Sequence, residues 1–119
     1  MHPKAKALQN RLLQYSKGVA QLCDSVPRVL SAQRFAGQLI DSSSSSYSNY
    51  RSACRARSRP EFIAKLGIVQ EELDESEGWL TLLHELGHIG DTVATTLLQE
   101  TNELLSIITA SLLTAKSRR

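Results

Sequence analysis

A chain of 119 residues with 41% hydrophobic and 22% charged residues suits one soluble globular domain and leaves little room for a second. Its formal net charge of +2 is too small to imply a polyanionic partner, so any such partner must be argued from local clusters. Aromatic residues at 5% argue against a strand-rich fold, and no apolar run reaches membrane-spanning length.

From Ala5 the apolar positions fall at Leu8, Leu12, Tyr15, Val19, Leu22 and Val26, steps of three and four that mark a helix seam over residues 4–25. Pro27 ends it, because proline disfavours helical geometry in the residue before it. A second segment, 28–57, passes through Phe35, Ala36, Leu39 and Ile40 into the run Ser42-Ser43-Ser44-Ser45-Ser46. Composition suggests a linker there, but serine is a middling helix former and not a breaker. Continuing the period places Ser43, Ser46 or Tyr47, Tyr50 and Cys54 on the same face, so the segment reads as one long helix. Its serine hydroxyls can bond back to the preceding turn, with room for a kink.

The third segment, 60–87, has the clearest start: a capping Ser58, Pro60 in the first turn and Glu61 three residues after the cap. Its seam is Phe62, Leu66, Val69, Leu73, Ser76, Leu80 and Leu83, and Gly87 and Gly90 supply the stop. Asp91 is the expected cap of the last segment, 91–115, striped by Val93, Ala94, Leu97, Leu98, Leu104, Leu105, Ile108 and Leu112. Lys116, Arg118 and Arg119 follow, where positive charge suits a helix C-terminus. Four amphipathic helices with short connections predict an all-α, antiparallel up-and-down four-helix bundle spanning residues 1–119 as one domain.

Cys23 and Cys54 lack zinc-type spacing and read as small buried residues of a reducing compartment. The opening Met1-His2-Pro3-Lys4 lacks the apolar block of a signal peptide. A cytoplasmic protein with no membrane partner is expected.

His84-Glu85-Leu86-Gly87-His88 fits the HExxH pattern, in which two histidines on one helical face grip zinc while the glutamate activates water. Here Gly87 and Gly90 put the string at a fraying helix end, and no third histidine follows. The plain reading is two solvent-facing histidines near a helix C-terminus, with no cofactor and no metal site; a small zinc hydrolase is the remote alternative.

Arg51, Arg55, Arg57 and Arg59 crowd the end of the second helix with no acid between them. Guanidinium groups grip phosphates in bidentate fashion, which makes the cluster a candidate phosphate-binding patch with Lys65 in support. The plain alternative is a solvated helix end. Tyr47 and Tyr50 are placed either to stack on bases or, as such tyrosines more often are, half-buried in the core. Glu71, Glu72, Asp74, Glu75 and Glu77 give the third helix an acidic face, either solvated or set to meet the arginines of another copy.

The strings Ser48-Asn49-Tyr50-Arg51-Ser52-Ala53-Cys54-Arg55-Ala56-Arg57-Ser58 and Glu61-Phe62-Ile63-Ala64-Lys65-Leu66-Gly67-Ile68-Val69, with Glu72, Glu75 and Trp79-Leu80, resemble the 23S ribosomal RNA intervening-sequence proteins. These are also called the four-helix-bundle protein family and were formerly labelled S23 ribosomal proteins. The resemblance lies in the second and third helices. It implies a bacterial up-and-down bundle that forms homopentamers. Through related accessory proteins of diversity-generating retroelements, it also implies contact with RNA, DNA or a reverse transcriptase. Two departures stand out: Ser43 to Ser48 replace a glycine- and valine-containing run before Asn49, and Ser52 replaces a glutamate, which leaves the basic patch less neutralised. The expected function is therefore non-enzymatic: a homo-oligomer that binds nucleic acid or a nucleic-acid enzyme through Arg51, Arg55, Arg57, Arg59 and Lys65, with Glu72 and Glu75 at subunit contacts. The alternative is a purely structural or adaptor assembly.

Overall fold

A computed structural model describes residues 1–118, and among these every regular element is helical. The helices are α1 (Pro3–Asp24), α2 (Leu30–Cys54), α3 (Arg59–Glu85) and α4 (Asp91–Ser117). Each packs on its sequence neighbours, and α4 returns to α1 to close an antiparallel bundle measuring 50 × 21 × 21 Å. The expected Arg119 contribution to the C-terminal charge lies outside the described residues.

Hydrophobic burial follows the predicted seams. Leu8, Leu12, Tyr15, Val19 and Leu22 of α1 are all buried, as are Leu66, Val69, Leu73, Leu80 and Leu83 of α3. Phe62, expected in the α3 seam, is only half-buried because the bundle opens at that end. In α2 the seam closes on buried Ala53, and Cys54 is half-buried.

The serine run is helical throughout. Ser42, Ser43, Ser44, Ser46 and Ser48 each donate to the carbonyl three residues back, so their hydroxyls are satisfied without leaving the helix. Small side chains there let both neighbours come close. Ser16 Oγ of α1 donates to the Ser43 carbonyl at 3.1 Å, and the Ser42 and Ser76 hydroxyls meet at 2.8 Å.

Those two hydroxyls belong to a polar layer drawn from all four helices. Tyr15 of α1 bonds Thr101 of α4 at 2.6 Å and also lies against Ser76. Thr101 and Ser76 are fully buried and donate to Leu97 and Glu72 carbonyls in their own helices. Burial pushes the Tyr15 phenol up to about 12, so it stays neutral in the layer. A satisfied polar layer penalises any axial slip of one helix, because a slip would leave buried hydroxyls without partners.

The helix ends correct two expectations and follow a third, the glycine stop of α3. The second helix does not run over 28–57. Val29 is extended at its start, and at the far end Ser58 must be extended (φ −153°) for its Oγ to accept from Glu61 N at 3.2 Å. Glu61 also accepts from the Arg57 backbone N–H at 3.2 Å, so the cap of α3 takes Arg55–Ser58 out of α2. Asp91 does not cap α4: Gly90 holds the cap position without a side-chain bond, and Asp91 is the first helical residue. Finally, α3 stops at Glu85 in a Schellman turn, with Gly87 at φ +75°. There His88 N donates to the Leu83 carbonyl and Gly87 N to that of His84, each at 2.9 Å.

Candidate nucleic-acid interface

That turn decides the geometry of the HELGH string. Glu85 is the last helical residue, so His84 lies on the helix and His88 beyond the left-handed glycine. The shared helical face that zinc binding requires does not form. Neither histidine faces solvent freely, contrary to the expectation; both are half-buried. His84 Nε2 donates to Asp91 Oδ1 at 2.7 Å, bracing the α3–α4 turn, and His88 Nε2 meets Ser31 Oγ of α2 at 2.8 Å. No group of three or more potential ligands converges on a metal position among the described residues.

The arginine cluster lies at the opposite end of the rod. Arg51 is on the last turn of α2, Arg55 caps that helix, Arg57 is in the α2–α3 loop and Arg59 opens α3; all four are exposed. Arg51 lies over the Tyr47 ring, 5.8 Å from its centroid, and Arg59 donates to the Arg118 carbonyl. Arg51, Arg55 and Arg57 make no ion pair among the described residues. Lys65 sits further along α3 and is half-buried. Tyr47 is half-buried and Tyr50 buried, as core-flanking tyrosines.

The antiparallel connectivity enlarges this patch beyond the stretch visible in the sequence. The start of α1 and the end of α4 both come to the α2–α3 loop end, as the Arg59–Arg118 bond and the groove shared by Lys4, Phe62 and Arg118 show, adding Lys4, Lys6, Lys116 and Arg118. Glu61 is the one acidic side chain at this end among the described residues, and every other described Asp and Glu lies further along the rod. A chain with a net charge of +2 is therefore strongly polarised along its length. The signal for this was available, because helix count and up-and-down order put residues 4–6 and 116–118 beside residues 55–59.

Of the neighbouring pairs, α1 and α4 pack least closely, and a groove of about 850 Å³ opens between them. Its walls are Ala5, Ala7 and Leu8 of α1 and Ile107, Ala110 and Ala115 of α4, with Tyr50 and Phe62 reaching it from α2 and α3. His2, Lys4, Arg11 and Arg118 also line it, and among the described residues no carboxylate does. Arg11 is already engaged: it bridges to Glu100 at 2.6 Å and Glu103 at 3.2 Å, and the bond to Glu100 raises its pKa further.

Glu72 and Glu75 lie on α3 away from the arginines, Glu72 half-buried and Glu75 exposed. Burial, then the charges of Glu75, Glu71 and Asp41, push the Glu72 carboxyl up. Neither has an ion pair among the described residues, so this stripe is an unneutralised acidic surface within one copy of the chain.

A family model described as the 23S rRNA-intervening sequence protein matches residues 7–110, which takes in all four helices and not only the second and third. No curated protein matches the chain. Among solved structures, a protein of unknown function from the S23 ribosomal protein family of Bacteroides thetaiotaomicron is 24% identical, with a TM-score of 0.83. The likeness covers 92% of this chain and 97% of the other and establishes a shared fold. No described helix is long and apolar enough to cross a membrane.

Proposed function

Because the chain belongs to the 23S rRNA-intervening sequence protein family, we propose that it is a non-catalytic, cytoplasmic, self-associating bundle whose basic end binds nucleic acid, or an enzyme already holding nucleic acid. The observation that supports this most is the segregation of charge. Arg51, Arg55, Arg57 and Arg59, with Lys65 behind them, share one end of the rod with the lysines and arginine of both termini. A solvated helix end has no need of cations from three separate stretches of chain. A phosphate backbone does, because its charges repeat over a width greater than one helix.

Self-association is supported by the acidic stripe of α3. Glu72 and Glu75 pair with no cation among the described residues, and their repulsion is relieved where cations of a neighbouring copy approach. A homopentamer is the assembly that the resemblance implies. A purely structural or adaptor role would use the acidic stripe and leave the basic end idle.

The two roles separate by salt. If phosphates are the ligand, log K for a labelled RNA falls linearly with log salt, with a slope of magnitude about 4–6 for that many neutralised phosphates. Fluorescence anisotropy across a salt series measures it. A stable oligomer with no salt-sensitive retention of RNA or DNA contradicts nucleic-acid binding and leaves the adaptor role.

A further inference from the structure

We infer that the groove between α1 and α4 takes an unpaired nucleobase from a strand whose phosphates lie on the basic end, so that the protein prefers single-stranded to duplex nucleic acid. This rests on the proposed phosphate-binding role and adds the strand type. The groove is mostly apolar, of about 850 Å³, and opens where the cations gather. Lys4 and Arg118 line it, and among the described residues no carboxylate does, so the surface complements an apolar group attached to repeating negative charge.

A duplex offers phosphates outward but keeps its bases stacked inside, whereas an unpaired strand presents planar faces that enter apolar and aromatic surroundings. Half-buried Phe62 supplies aromatic surface in the groove with buried Tyr50 beside it, and Ala7 and Ala110 keep its walls low. An acidic helix from a protein partner would satisfy the mouth alone. The cations extend past it, over Arg51, Arg55 and Arg57, which suits a longer polyanion.

The test compares a labelled oligouridylate of roughly 12 nucleotides with a duplex of equal length, repeated with the DNA counterparts, for the wild-type chain and two groove-filling variants. Ala110→Trp and Ala7→Trp lie at exposed positions on opposite walls, so the fold is expected to tolerate both. The wild type should bind the single strand about tenfold more tightly than the duplex, a ratio falling towards one in both variants while duplex affinity and its salt slope stay constant. The same pattern with RNA and DNA places recognition on the base and backbone; a pattern confined to RNA adds the 2′-hydroxyl. Equal affinity of the wild type for both forms, or an unchanged ratio in both variants, overturns the inference but leaves phosphate binding standing. Loss of the oligomer in both variants, read by light scattering, assigns the groove to a second copy and also overturns it. No binding of either form overturns this inference together with the function it rests on.

Discussion

Charge reversal at two loop positions, Arg55→Glu with Arg57→Glu, is expected to weaken RNA binding about 100-fold at low salt and to reduce the magnitude of the salt slope by about two. Both side chains are exposed and neither makes an ion pair among the described residues, so the fold loses no side-chain salt bridge. The Arg57 backbone N–H still donates to Glu61, and the Ser58 cap of α3 is untouched. The unfolding free energy should therefore stay within about 0.5 kcal/mol of wild type, as it usually does for exposed substitutions. Unchanged nucleic-acid affinity in a folded double variant would remove the basic end from the binding surface.

The largest structural effect is expected in the serine run. Ser42→Leu places a branched side chain where α2 and α3 meet through two hydroxyls at 2.8 Å. Ser42 is 2% exposed, so the added carbons have no outlet and the helices must part. Overpacking of this kind costs about 2–3 kcal/mol. Ser42→Ala, which removes the contacts with the Leu39 carbonyl and the Ser76 hydroxyl but leaves Ser76 its Glu72 carbonyl, should cost about 1 kcal/mol. Urea denaturation of the pair measures the difference. Equal stability of the two variants would mean that close approach of α2 and α3 is not what the serines provide.

How much of this was legible beforehand differs by element. The α1 seam could be read residue by residue, since Leu8, Leu12, Tyr15, Val19 and Leu22 are buried at the spacing that the sequence shows. The serine run was legible as helix from periodicity, against its linker-like composition. Thr101, fully buried on α4, was not, because a polar residue in an apolar stripe shows its role only when Tyr15 is seen opposite it. The end of α2 departs from its sequence pattern for a related reason. Arginines have good helix propensity, and what stops the helix is the capping geometry of the next one, a competition that a one-helix reading does not contain.

The basic site was half legible. Arg51, Arg55, Arg57 and Arg59 stand out as a run, whereas the lysines and arginine of the two termini join them only through the bundle's connectivity. The HELGH string shows the converse. Its residues match a catalytic pattern, but one glycine in a left-handed conformation separates the histidines and hands each to a different structural partner.

The most direct measurement of the central claim is a residue-by-residue map of amide chemical-shift changes as a short RNA is added to the labelled protein. The account predicts changes concentrated at residues 4–8, 50–62 and 110–118, with the α3–α4 turn around His84 and His88 silent. Changes centred on that turn or on the acidic stripe around Glu72, or none at saturating RNA, would contradict it.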